Sequence, residues 1–247
     1  DDSYAITKQG IESFIGTLLD PARSTDRITA ALADELIAEL DKKLSRQVDQ
    51  VLHDPAFQKL ESAWRSLKFL VDRTDFRENV KIQLMNVSKD DLLSDFQDSP
   101  EITKSGLYKS VYSAEFGQFG GQPFGAIVSN YEFGPGTQDV ALLQYVASVA
   151  AMAHAPFIGG VSASFFGLDD YAKLPDLKDL SGIFESPTYT KWRGFRESDD
   201  ARNVALVMPH FLLRTPYGVD TVPAKKFAYN EDVSGGNNSF MWGNASF

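Results

Sequence analysis

Phe124-Gly-Ala-Ile-Val-Ser-Asn-Tyr131, with its apolar run Ala126-Ile127-Val128, reads as a strand. Glu132-Phe-Gly-Pro-Gly136 is a turn, and Thr137 then caps a helix over about 138–153 with Leu142, Leu143, Val146, Val149, Ala150 and Ala153 facing inward. The alanine-rich end of that helix predicts close approach to a neighbour. Phe157-Ile-Gly-Gly-Val161 follows as a short buried strand. A strand, a helix and a strand in succession place the chain in the α/β (α+β) class, with a mixed sheet flanked by helices.

Working outward, strands and helices continue on both sides. Val80-Lys-Ile-Gln-Leu-Met-Asn-Val87 reads as a further strand, and short helices are expected over 90–96 and from Ser99-Pro100 to about Ser113, with Leu107 and Val111 inward. Residues 167–187 read as an irregular connection, and 189–195 as a helix carrying Trp192. Val204 to Leu213 is an apolar run expected as a buried strand, which Pro209 limits in one half. From Arg214 the chain is rich in Pro, Gly, Asn and aromatics and reads as loops.

Residues 1–75 carry a different pattern and predict a helical arm, with 76–247 as the core domain. The first helix, about 4–19, sets Ile11, Phe14, Ile15, Leu18 and Leu19 on one face, weakened by Gly10 and Gly16. The second, about 27–52, carries Ala33, Ile37, Leu40, Leu44, Val48 and Val51, a narrow stripe close to a coiled-coil seam. The third, about 56–72, carries Phe57, Leu60, Trp64, Leu67 and Val71. Stripes this narrow suit either an internal helical bundle or an arm completed by another chain.

One loop is unusual. Phe116-Gly-Gln-Phe-Gly-Gly-Gln-Pro-Phe-Gly125 interleaves rings with glycines but has no following Gly-Lys-Ser/Thr, so it does not read as a phosphate loop. It reads as a structural packing loop that buries Phe116, Phe119 and Phe124, with backbone freedom at Gly120 and Gly121. On that reading Phe119→Ala costs about 3–5 kcal/mol.

Composition narrows the function. The 247 residues are 43% apolar and 23% charged, enough for a real core. A net charge of −10 argues against nonspecific nucleic-acid or anionic-membrane binding. The absence of cysteine excludes disulfides and thiolate metal sites. No apolar run reaches the roughly 20 residues that span a bilayer as a helix. His53 reads as an exposed helix-end residue, and His154 and His210 as hydrogen-bonded core histidines; none has metal-ligand spacing. Asp169, Asp170, Asp199 and Asp200 read as solvated turns, although an acidic pair for hydrolysis is an alternative that sequence leaves open. Arg193, Arg196 and Arg202 read as a salt-bridge network at a helix end, with an interface contact second. The expected cofactor and metal content is therefore none.

Six ordered motifs carry a resemblance across nearly the whole chain. They are Phe57-Gln-Lys-Leu-Glu-Ser-Ala-Trp64-Arg-Ser-Leu, the glycine-aromatic loop 116–125, Ala151-Met-Ala-His154-Ala-Pro-Phe157, Ser186-Pro-Thr-Tyr-Thr-Lys-Trp192-Arg, Leu213-Arg-Thr-Pro-Tyr-Gly218 and Trp242-Gly-Asn-Ala. The set resembles the large subunit of the bacterial type VI secretion contractile sheath, of which this chain is similar to the N-terminal half. The resemblance implies a cytoplasmic structural protein and not an enzyme. It implies pairing with a small sheath subunit and helical polymerisation with further copies around an inner tube protein. It implies assembly on a baseplate, contraction, and disassembly by an unfoldase-class ring ATPase. It implies no nucleic acid and no direct membrane insertion. Combined with the helix pattern, it assigns small-subunit pairing to Ile37, Leu40, Leu44, Val48, Val51, Phe57, Leu60, Trp64 and Leu67. By position it assigns ATPase recognition to Ile11, Phe14, Ile15, Leu18 and Leu19. A hydrolase with a cryptic acidic site, or a stand-alone helical adaptor, are the alternatives from other classes.

Overall fold

The computed structural model describes Gly16 and residues 30–225 and 227–234. Two compact units emerge, one holding described residues 30–62 and 214–234, the other residues 63–213. The stripe at Ile11 to Leu19 and the Trp242 motif lie outside the described residues.

In the second unit, β1 (Ile127–Phe133), β2 (Phe157–Val161) and β3 (Val204–Val207) form a three-stranded sheet in the order β1-β2-β3. Both pairings are parallel, with Ile127 opposite Phe157 and Phe157 opposite Val204. The connection from β1 to β2 is a helix, Thr137–Ala153. Every inward position expected for it is buried, and Val140 and Ala147 join them. Apolar residues around most of its circumference mark a helix packed on several sides. The sheet lies on one side of it; against the others pack a helix at Lys89–Asp98, a π-helical segment at Lys109–Phe116 and a short helix at Thr190–Arg196. Phe133 and Phe157 meet edge to face beneath it, with centroids 6.0 Å apart. The turn before the helix is tied down by Asp139, whose Oδ2 accepts the Gly134 N–H at 2.6 Å. Lys89 Nζ reaches the same carboxylate at 2.8 Å. The residue preceding the helix is Gly136, so Thr137 is its first residue and not its cap.

Three sequence expectations change here. Val80–Val87 forms no strand among the described residues. Val80, Leu84 and Met85 are exposed, and no neighbouring strand offers the ladder that alternation alone cannot supply. The run after Val204 is strand only to Val207, because Pro209 has no N–H for a ladder and the chain turns away. The glycine-aromatic loop buries fewer rings than expected: Phe119 is fully exposed and Phe116 is 37% exposed between Tyr112 and His154, while Phe124 packs against the core. The glycines are needed all the same. Gly120 has φ +81°, and a Cβ on Gly121 would run into the Glu115 carbonyl.

Candidate interaction surface

The first unit is built around α1 (Ala30–Leu52) and the start of α2 (Pro55–Arg73). Asp54 accepts the N–H groups of Ala56 and Phe57 at 2.9 and 3.2 Å, and Pro55 occupies the first helical position. On α1 the seam residues Ile37, Leu40, Leu44 and Val51 are exposed, and Val48 is half-buried. On α2, Leu60 is exposed and Trp64 is 62% exposed, while Phe57 and Leu67 are half-buried. The pattern read as a pairing face is thus a partly exposed apolar stripe, where each exposed side chain forfeits part of the about 1.5–3 kcal/mol that full burial would give.

A neighbouring face of α1 carries a second, polar stripe. Asp41, Ser45, Asp49 and His53 stand four apart, one above another. This stripe holds the segment 214–234. Asp49 Oδ1 accepts the Tyr229 hydroxyl at 2.7 Å and the Asp232 N–H at 3.3 Å. Asp41 Oδ2 accepts the Ala228 N–H at 3.4 Å. His53 Nε2 lies 3.3 Å from Glu231 Oε1, so His53 is a partly buried contact residue and not an exposed helix end.

At the centre is Arg214, which is buried. Its Nη1 and Nη2 meet Glu231 at 2.6 and 3.1 Å, and its Nε meets Glu61 on α2 at 2.9 Å. Glu231 also accepts the Tyr217 N–H at 3.0 Å, and the guanidinium lies over the Tyr217 ring, 4.7 Å from its centroid. A planar fork between two carboxylates is a task for arginine and not lysine. Burial alone would lower the Arg214 pKa; the hydrogen bonds it donates to Glu231 and Glu61, and their charges, outweigh burial and raise it. Burial would raise the Glu231 pKa, but Arg214 and the Tyr217 N–H hold it below the usual carboxylate range. Burial and the Asp49 hydrogen bond push the Tyr229 phenol up. This clasp went unnoticed in the sequence because Arg214 and Glu231 are 17 residues apart and Arg214 and Glu61 are 153 apart. The Leu213–Gly218 motif was the one available signal.

The remaining candidates for chemistry resolve into local structure. Asp169 pairs with Lys173 at 3.3 Å. Asp170 accepts the Ala172 N–H at 3.0 Å, and Asp200 accepts the Ser148 hydroxyl at 2.7 Å. Asp199 lines an open cleft with Arg196, Arg202 and Trp192. Arg193 donates to the Phe184 and Ser186 carbonyls at 2.6 and 3.0 Å, which replaces the expected salt-bridge network with a cap on a helix end. His154 is an exposed left-handed cap after its helix (φ 52°), not a core residue. His210 lies outside β3, 3.2 Å from Glu132 and with its ring centroid 4.7 Å from that of Tyr171. Burial and the Glu132 charge push the Tyr171 hydroxyl up to about 12, so at neutral pH it stays protonated. Among the described residues no group of three or more His, Cys, Asp or Glu could hold a metal ion. Among them, too, no helix is long and apolar enough to cross a membrane.

Comparison with known proteins gives two results. Residues 34–247 match the VipB family, described as EvpB/VC_A0108, tail sheath N-terminal domain. The chain is also 38% identical over 249 aligned residues to the type VI secretion system sheath protein TssC1 of Pseudomonas aeruginosa. That alignment covers 97% of this chain and 50% of the relative, so the chain spans about half the relative's length.

Proposed function

The chain belongs to the VipB tail sheath N-terminal domain family, whose members are structural sheath proteins of the type VI secretion system and not enzymes, and from that premise we propose that it pairs with a small sheath subunit through α1 and α2. The heterodimer then polymerises in the cytoplasm with further copies into a helical tube around an inner tube, and its contraction drives that tube outward. Head-to-tail contacts that do not close on themselves generate such filaments. Contraction stores its energy between subunits, as rigid-body rearrangement, and needs no nucleotide site within one. Residues Ile11 to Leu19 are the proposed recognition element for an unfoldase-class ring ATPase that disassembles the contracted tube.

The observation that carries the pairing reading is the exposed stripe Ile37, Leu40, Leu44 and Val51, on a helix whose polar stripe is already occupied by residues 228–232. An apolar stripe flanked by charge, in steps of three and four, fits the groove of a partner helix. The test is co-expression with a small sheath partner. Leu40→Asp should abolish co-purification, since a carboxylate buried in the seam costs several kcal/mol, while the circular dichroism and melting of the chain alone stay unchanged. Undiminished capture of the partner by L40D refutes the assignment. So does a wild-type chain that stays monomeric beside its partner.

A further inference from the structure

Among the described residues, the sheet has one covered face and one bare face. Residues Ile127, Tyr131, Val204 and Leu206 pack into the main core with the helix Thr137–Ala153. Their alternates point the other way. Val128 pairs in register with Ile158, and Ile158 with Ala205, while Gly160 pairs with Val207, so these side chains share the opposite face. Val128 is 54% and Val207 53% exposed, and Ala205 and Asn130 are exposed beside them. His210 and Tyr171 reach this face at the Glu132 end.

The topology explains the bareness. The strands run β1-β2-β3 in one direction across the sheet. Right-handed crossovers that keep stepping the same way return every connection over the same face. Both connections obey this: Thr137–Ala153 links the first pair, and Thr190–Arg196 and Asp199–Asn203, from the second link, pack onto that same helix. An all-parallel sheet is nevertheless stable only with both faces covered. The second cover must come from chain other than these two crossovers.

We propose that this face is covered permanently, within the same polypeptide, by an apolar helix from the portion of the full-length protein that lies beyond these 247 residues. The relative holds about as much chain again as the region it shares with this sequence, enough for such a layer. The face also differs from the seam on α1. Val128, Asn130, Ile158, Gly160, Ala205 and Val207 include no charged residue, and Glu132, on the same face, stands at its end against His210, whereas the seam is flanked by Glu39, Lys43 and Arg46. A face whose centre is uncharged suits a contact made once, on folding; a stripe rimmed by charge along its length suits a separate, soluble partner.

The experiment places a photoreactive benzophenone amino acid at Val128 in the full-length protein, co-expressed with its small sheath partner and irradiated. Asn130 and Val207 serve as second and third positions in case one substitution prevents folding. The expected adduct is intramolecular: it runs at the mass of a single chain on a denaturing gel, and its cross-linked peptide comes from beyond residue 247. An adduct with the small subunit or a second copy overturns the proposal, as does no adduct at any of the three positions. The same amino acid at Leu40 reports on the pairing surface separately, so failure of one reading is distinguishable from failure of the other.

Discussion

The two units of this chain solve the same problem, holding distant segments together, by opposite means. Around the helix Thr137–Ala153 the answer is volume: Leu142, Leu143, Val146 and Val149 are essentially without solvent contact, and rings at Phe133 and Phe157 close the space beneath. Around Arg214 the answer is charge: one guanidinium, two carboxylates, and a Tyr229–Asp49 hydrogen bond fasten residues 214–234 to α1 and α2. Apolar packing is non-directional and tolerates adjustment. A buried ion triad is stable only when complete. The charged solution leaves the apolar seam of α1 exposed among the described residues, which is what a subunit needs if that seam is to serve a partner.

The comparison breaks most sharply at Arg214. Arg214→Met should destabilise the first unit by about 3–5 kcal/mol, because it leaves Glu61 and Glu231 buried without their cation. Denaturant unfolding followed by Tyr fluorescence near Tyr217 and Tyr229 would measure it; a loss under 1 kcal/mol would mean the clasp is ornamental. Leu143→Ala in the second unit should cost about 2–5 kcal/mol through the cavity it opens. Its cost should not depend on salt or pH, and a clear ionic-strength dependence would contradict the apolar account.

Acid should separate the units as well. The Glu231 pKa is depressed in the folded chain, so its contribution is fully present above the unfolded glutamate value of about 4.3 and is lost as pH falls through the folded one. Hydrogen exchange should therefore open residues 214–234 below about pH 4.3 before it opens the helix Thr137–Ala153. Simultaneous opening of both would remove the distinction. The smallest effect is expected at Phe119, where alanine should change stability by no more than about 0.5 kcal/mol because the ring is already in solvent. A melting shift matching a buried ring would restore the packing role read from the sequence.

Legibility followed periodicity. The run 137–153 showed its inward residues directly, since a helix buried on several sides has apolar residues at predictable steps. The seam on α1 was equally readable. The strand expected at Val80–Val87 failed for the complementary reason: alternation states which residues could face a core, and only a neighbouring strand makes them a strand. The exposed Phe119 failed because aromatic content does not report orientation.

Residue spacing alone determined the long helices, the α/β class, and a narrow apolar stripe on α1. Tertiary structure alone decided that Arg214 would meet Glu61 and Glu231, that His53 would be drawn in with them, and that one face of the sheet would stay bare among the described residues. Local patterns record how a segment can bury itself, because helix and strand periods are fixed by backbone geometry. Which distant charges find one another, and which side of a sheet its crossovers occupy, depends on the path of the whole chain.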